Sequence, residues 1–270
     1  MVSFPNSKIN LGLSIIGKRS DGYHDLETIF YPIAIKDAIE IIEKKDIQFS
    51  ISGLAIAGEQ QNNLCIKAYY LLKKDFPQLP PVQMHLHKSI PIGAGLGGGS
   101  ADGAFTLQLL NKKFDLSLSE KQLIQYASQL GSDCPFFIFS KPCFATGRGE
   151  LLEQIDLDLS AYKILIVHPG IHISTAWAFS NVNRTSTAKL LKRIIQQPIS
   201  TWKDKLINDF EEPVFSQFPQ IKNIKDEMYN AGAIYSSMSG SGSAVYGIFE
   251  KDKQLSFSFP QNYFVKLLPG

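Results

Sequence analysis

From Pro91 to Gly103 the chain reads Pro-Ile-Gly-Ala-Gly-Leu-Gly-Gly-Gly-Ser-Ala-Asp-Gly, with glycine at six of thirteen positions. Glycines cost conformational entropy on folding. Such a concentration makes sense where the backbone must approach a ligand closely and turn its N–H groups towards it. A strand pattern precedes the run and a helix pattern follows it. The free N–H groups and positive dipole end of that helix favour a phosphate. A flexible turn is the plain alternative.

Three phosphate motifs are separable here. Gly93-x-Gly95-x-x-Gly98 has the spacing of a dinucleotide fingerprint, but Asp115, the nearest acidic candidate, precedes a helix pattern instead of ending a strand. A Walker loop requires Gly-Lys-Ser/Thr, and Gly99-Ser100 has no lysine. The other signatures of a protein kinase are not found. Ser100 opens the following helix, where its hydroxyl could contact phosphate or metal, or cap the helix. Asp133 sits between Gly131 and Pro135, a position that by itself suits an N-cap. Lys8 and Lys88 read alone as solvated charges at strand ends, and His85 and His87 as surface residues of a strand.

The positioning elements follow from periodicity. Strands are expected at Lys8–Ile16, Leu26–Ile35, Ala38–Glu43, Ile47–Ser52 and Val82–His87, the last two alternating apolar and polar residues. Helices are expected at Asn63–Phe76, Ser100–Asn111 and Ser119–Leu130, the last opening on a Ser119/Gln122 capping box and closing at Gly131. Glu153–Ala161 is polar and reads as a linker. Beyond it, Tyr162–His168, Ala233–Met238, Ala244–Phe249 and Tyr263–Leu267 read as strands, and Thr187–Gln196, Trp202–Phe210 and Ile221–Ala231 as helices. Strands and helices mix without a regular βα alternation, which favours an α+β fold.

The 270 residues suffice for one large domain or two closely packed ones, and 44% of them are hydrophobic. The net charge is +2, so nothing in the overall balance suggests a nucleic-acid partner. Cys65, Cys134 and Cys143 form no CxxC pair and are expected to be buried apolar residues. No uncharged apolar run approaches the ~18 residues of a membrane span. Met1 to Leu13 lacks the pattern of a secretion signal, so a cytoplasmic protein is expected.

Pro91, Gly95-Leu96-Gly97 and Gly98-Gly99-Ser100-Ala101 resemble the second motif of the GHMP kinase superfamily. Ser7-Lys8-Ile9-Asn10-Leu11, Arg19-Ser20-Asp21-Gly22-Tyr23-His24-Asp25-Leu26-Glu27-Thr28, Gly131-Ser132-Asp133-Cys134-Pro135-Phe136-Phe137 and Gly147-Arg148-Gly149-Glu150 resemble one branch of it, and Ser239-Gly240-Ser241-Gly242 resembles the third glycine motif of the superfamily. That branch phosphorylates a cytidine-diphosphate-linked methylerythritol in the non-mevalonate isoprenoid pathway. Mevalonate- and homoserine-type relatives lack the Asp-Gly-Tyr-His stretch, and a non-catalytic nucleotide binder would not need Lys8 and Asp133. Ser7 stands where the branch usually has Ala, and Ala101 where a second Ser is common.

The resemblance implies an α+β, two-lobed kinase with ATP and substrate in the cleft between the lobes. Residues 1–157 would form an N-terminal lobe of the ribosomal protein S5 domain 2-like type, and residues 158–270 a ferredoxin-like lobe, with the final residues free to return to the first. It implies transfer of the ATP γ-phosphoryl to the 2-hydroxyl of the substrate, with magnesium ion neutralising phosphate charge. Asp133 would be the base and Lys8 its cationic partner. ATP would be held by Asn63, Lys88, Pro91, Ile92, Gly93, Ala94, Gly95, Leu96, Gly97, Gly98, Gly99, Ser100 and Ala101. Asn10 would bond the substrate, Tyr23 would stack on the cytosine and His24 would bond its edge. Phe179, with Thr175 nearby, would close the other face of the base, with Trp177 as a rival. The metal ligands are not assigned, and a monomer or homodimer is expected.

Overall fold

A computed structural model describes residues 1–55, 60–182 and 191–269. The first elements are β1 (Val2–Ser3), β2 (Asn6–Lys18), β3 (His24–Lys36), β4 (Ala38–Glu43), β5 (Gln48–Gly53), α1 (Leu64–Asp75) and β6 (Val82–Lys88). There follow α2 (Gly98–Lys113), α3 (Glu120–Leu130), α4 (Phe136–Phe139), β7 (Cys143–Thr146), β8 (Leu151–Gln154) and β9 (Tyr162–His168). The chain continues through α5 (Thr175–Ser180), α6 (Leu191–Ile195), α7 (Glu211–Gln217), α8 (Pro219–Asn230), β10 (Tyr235–Met238), β11 (Val245–Glu250) and β12 (Phe264–Leu268). These elements form two compact units, each made of separated segments. One comprises Met1–Lys8, Pro32–Ile92 and Gly97–Lys141, the other Ile9–Tyr31, Gly93–Leu96 and Pro142–Gly270.

In the first unit a four-stranded sheet runs in the order β1-β4-β6-β5. Strands β5 and β6 are parallel, and α1 lies in the connection between them, because parallel neighbours need a long crossover. Cys65, Ala68, Tyr69 and Leu72 supply the buried stripe of α1. Asn63 caps the helix by accepting the Cys65 N–H, and Lys73 and Lys74 complement the dipole at its other end. Helix α2 packs closely on α1: a Cβ on Gly103 would lie 2.9 Å from Leu64 Cβ. It starts at Gly98, two residues earlier than the apolar pattern indicates. The Ser119/Gln122 capping box opens α3 as expected. Gly131 ends that helix in extended backbone (φ 169°), not in a left-handed cap.

The second unit contains the sheet β10-β11-β9-β12 and most of the sheet β2-β3-β7-β8. Strand β9 is paired on both sides, antiparallel to β11 and to β12. The final strand therefore takes the edge of β9 left open by β11. Leu165, Val167, Val245 and Phe249 pack with Ile221, Ile224 and Met228 of α8 in one apolar core.

Two further expectations are corrected. Glu153 and Gln154 are not linker: they complete β8, where Glu153 pairs with Phe144. Trp202–Phe210 is not a helix. Trp202, Leu206 and Phe210 are buried at helix-like spacing. However, the Leu13 N–H donates to the Ile207 carbonyl, and the Asp209 N–H donates to the Leu13 carbonyl, which draws the chain out beside β2. Of the expected helix at Thr187–Gln196, residues 187–190 lie outside the described residues, and α6 covers Leu191–Ile195. No helix among the described residues is long and apolar enough to cross a membrane.

Candidate active site

Strand β2 brings Lys8 to the start of α2. Gly97, left-handed at φ 72°, precedes that helix, and no side chain caps it. A Cβ on Gly97 would lie 2.7 Å from Phe137 Cζ and 3.2 Å from Lys8 Cε. A Cβ on Gly98 would lie 2.9 Å from Ile90 Cγ2, whereas one on Gly99 would meet nothing within 4 Å. The first turn of α2 is thus packed from below at Gly97 and Gly98 and open at Gly99. Open N–H groups at an uncapped helix start suit an anion. Ser100 is the third residue of this turn and does not cap it. Burial pushes the Cys134 thiol up to about 12, with Ser100 opposing the shift.

Lys8 Nζ lies 3.5 Å from Asp133 Oδ2. The lysine side chain is 4% exposed, whereas Asp133 is 36% exposed, so the carboxylate forms the accessible half of the pair. Burial lowers the Lys8 ammonium from its ordinary value, against the opposing charge and hydrogen bond of Asp133. Asp133 occupies the turn between α3 and α4, and it is Pro135 that precedes α4. N-capping is therefore not its role.

Lys88 is neither solvent-facing nor open to a nucleotide. Its ammonium is buried at the end of β6, ion-paired with Asp37 and, at 2.7 Å, with Asp102 Oδ2. Burial works against its charge, but Asp102 and Asp37 outweigh it and raise its affinity for the proton. Asp102 is pushed up to about 8 by burial, with Asp37 adding to the effect and Lys88 opposing it. Asn63 spends its side-chain oxygen on the α1 cap. Asp37 and Asp102 carry structure that the sequence reading missed. The available signal was Asp102 itself, a charged residue among Ala101, Gly103 and Ala104 on the buried part of a helix.

In the second unit, Gly93–Leu96 lie against the run Ser239–Ser243. A Cβ on Gly95 (φ 78°) would fall 1.9 Å from the Ser239 carbonyl oxygen. Ser239 Oγ donates to the Gly95 carbonyl at 2.8 Å, and the Ala244 N–H donates to the Ala94 carbonyl. Asn208, also unforeseen, donates to the carbonyls of Met238 and Gly240 and so fixes the far side of the run. Pro91, Leu96 and Ala101 are buried, while Ile92 is exposed.

Buried Asn10 donates from Nδ2 to Thr28 Oγ1, and its backbone N–H donates to Ser239 Oγ. The Tyr246 hydroxyl donates to the Asn10 carbonyl. Tyr23 is exposed, with the Arg148 guanidinium 4.8 Å over its ring. His24 and Phe179 are stacked, centroids 4.8 Å apart and planes 12° from parallel. That is direct ring contact, so Phe179 backs the imidazole. Trp177 turns instead onto Phe218. Thr175 Oγ1 is 3.2 Å from Ser241 Oγ. His85 and His87 share Ser52 as a hydrogen-bond partner on the outer part of β6. All three cysteines are buried and free. No group of three or more His, Cys, Asp or Glu among the described residues could hold a metal ion.

Residues 63–141 match the GHMP kinases N terminal domain, and residues 185–257 the GHMP kinases C terminal domain. A Bacteroides fragilis protein named 4-diphosphocytidyl-2-C-methyl-D-erythritol kinase is 51% identical over 260 residues, covering 95% of this chain and 94% of its own. The chain belongs to the 4-diphosphocytidyl-2-C-methyl-D-erythritol kinase family of GHMP kinases. Another member of the family, from Azobacteroides pseudotrichonymphae, is 53% identical over 93% of this chain and 94% of its own. The crystal structure of a 4-(cytidine 5'-diphospho)-2C-methyl-D-erythritol kinase superposes with a TM-score of 0.79 at 30% identity, covering 92% of this chain and 90% of its own. The Methanococcus jannaschii mevalonate kinase, at 16% identity and a TM-score of 0.70 over 94% of this chain and 92% of its own, shares the GHMP fold.

Proposed function

We infer that this chain transfers the γ-phosphoryl group of ATP to the 2-hydroxyl of 4-diphosphocytidyl-2-C-methyl-D-erythritol. The observation that carries this reading is the Lys8–Asp133 pair beside the open first turn of α2. Such a transfer needs the phosphates held, their charge neutralised, and a hydroxyl aligned and relieved of its proton. The N–H groups around Gly98 and Gly99 hold phosphate oxygens. Asp133 accepts the hydrogen bond of the substrate hydroxyl and takes its proton as the oxygen attacks the γ-phosphorus. The bond from that phosphorus to the β–γ bridging oxygen breaks, and ADP leaves. Lys8 stabilises the charge that develops on the attacking oxygen.

The donor set fits a magnesium ion carried in on ATP. Ser100 supplies a hard hydroxyl oxygen at the open turn, and a divalent ion of this kind takes most of its ligands from phosphate and water. When bound, it would neutralise phosphate charge, with Ser100 as its protein ligand. At the cytidyl end, Tyr23 offers an exposed ring for stacking, with Arg148 holding that ring in place. His24 bonds the edge of the base, with its ring set by Phe179. Asn10 bonds the substrate, and Thr175 stays linked to Ser241.

The test is ADP release by the purified protein with ATP and one acceptor at a time: the cytidyl substrate, mevalonate or homoserine. Turnover with the cytidyl substrate alone is expected. Turnover with mevalonate or homoserine in its place, or ATP binding with no turnover of any acceptor, would overturn the reading.

A further inference from the structure

An ammonium and two carboxyl groups meet beneath the phosphate-binding turn, drawn from three places in the sequence. Lys88 ends β6, Asp37 links β3 to β4, and Asp102 lies in the second turn of α2. All three are at least 97% buried. The Asp37 carboxylate is fully used: Oδ2 accepts from Lys88, and Oδ1 accepts the N–H groups of Ser89 and Ile90 at 2.6 and 2.8 Å. Asp37 therefore holds the chain as it leaves β6 for the glycine run. Lys88 Nζ passes under the start of α2, where a Cβ on Gly98 would lie 3.3 Å from it, and bonds Asp102 Oδ2 one turn further on. Asp102 Oδ1 has no hydrogen-bond partner among the described residues. Burying an ammonium with two carboxyl groups is costly and is weak grounds for stability. What the arrangement does supply is a fixed register between the strand end and the first turn of the helix.

We propose that Asp37 and Asp102 are positioning residues for ATP: through Lys88 they lock the Lys88–Ile90 strand end to the first turn of α2 and so aim its N–H groups at the phosphates. None of the three touches the nucleotide in this account. The inference rests on the reading of that turn as the ATP phosphate site.

Three variants test it: Asp37→Asn, Asp102→Leu and Asp102→Asn. Asparagine at 37 sets an amide against the Lys88 ammonium. Leucine at 102 removes the acceptor on the helix, and asparagine there keeps one. ATP binding is measured by calorimetry without acceptor, KM for ATP and for the cytidyl substrate by ADP release, and folding by thermal melts. Losing a charged hydrogen bond at the hinge predicts ~10-fold weaker ATP binding for Asp37→Asn and Asp102→Leu, with KM for the cytidyl substrate within ~2-fold of wild type. Asp102→Asn is expected to regain most of the affinity. If Asp37→Asn does not fold, the two substitutions at 102 decide, because they leave Asp37 to hold Lys88. Folded variants with lowered melting temperature but unchanged ATP affinity would overturn the proposal, as would equal rises in both KM values. Because ATP binding needs no acceptor, a wild-type protein that binds ATP yet leaves the cytidyl substrate untouched would sink the acceptor assignment and leave this test standing.

Discussion

Replacing Asp133 with Asn keeps the side chain's size and removes its charge, and the consequences for rate and for stability separate. At 3.5 Å, with an effective dielectric of about 20, the Lys8–Asp133 pair attracts by about 5 kcal/mol before solvent is counted. Asp133 is 36% exposed, so water screens most of this, and about 1–2 kcal/mol of stability is the expected loss. Lys8, already lowered by burial, loses the group whose charge and hydrogen bond opposed that lowering, and falls further. The catalytic loss is larger. Without a base for the attacking hydroxyl, turnover drops by ~10²–10⁴, which is about 3–5 kcal/mol of transition-state free energy. ATP is gripped elsewhere, at the first turn of α2, so KM for ATP stays within about 2-fold of wild type. The assay is steady-state ADP release by the folded variant, with thermal melts alongside. A rate within about 3-fold of wild type would refute the base assignment, and a 100-fold rise in KM for ATP with unchanged turnover would refute the division of labour.

Further outcomes follow from single contacts. Gly99→Ala fills open space in a helix, so stability is held or raised by about 0.5–1 kcal/mol, while KM for ATP rises if phosphates pass that atom. Gly95→Ala, by contrast, drives a methyl into the Ser239 carbonyl and is expected to abolish soluble expression or ATP binding altogether. Phe179→Ala frees the His24 ring, and the stacking lost is worth about 0.5–1.5 kcal/mol, which predicts a roughly 2- to 10-fold higher KM for the cytidyl substrate and an unchanged one for ATP. Asp102 is held near 8 in the folded chain, against about 3.9 when unfolded, so the folded state keeps a proton that the unfolded state releases. Stability from this group is full below about pH 4 and is lost as pH rises towards 8. Urea unfolding across pH 5–8 is expected to show a falling trend in the wild type and a flatter one in Asp102→Asn; parallel trends would contradict it.

Local features read well from the sequence. The alternation in β6 and the Ser119/Gln122 box of α3 appear where residue spacing placed them, and β5 and α1 form where expected, though β5 is half-buried on both faces and the stripe of α1 is centred on Cys65, Ala68, Tyr69 and Leu72. Spacing misled at Trp202–Phe210, where apolar residues four apart satisfy a helix and an extended segment alike until pairing with Leu13 decides. Lys88 looked solvated because its two partners lie 51 and 14 residues away, and nothing local announces a buried ion triad. Lys8 and Asp133 are 125 positions apart, so only the resemblance suggested this pair, whose side chains lie 3.5 Å from one another. The stacking of Phe179 on His24 was not foreseen, because one sequence position does not say which neighbour an aromatic face will choose.

The most direct test is a crystal structure of the protein with a non-hydrolysable ATP analogue and the cytidyl acceptor, read at one distance. With the γ-phosphate seated at Gly98 and Gly99, the acceptor 2-hydroxyl is expected within about 2.6–3.2 Å of an Asp133 carboxylate oxygen. A hydroxyl bonded instead to another side chain, with Asp133 turned to solvent and the phosphates away from α2, would contradict the account.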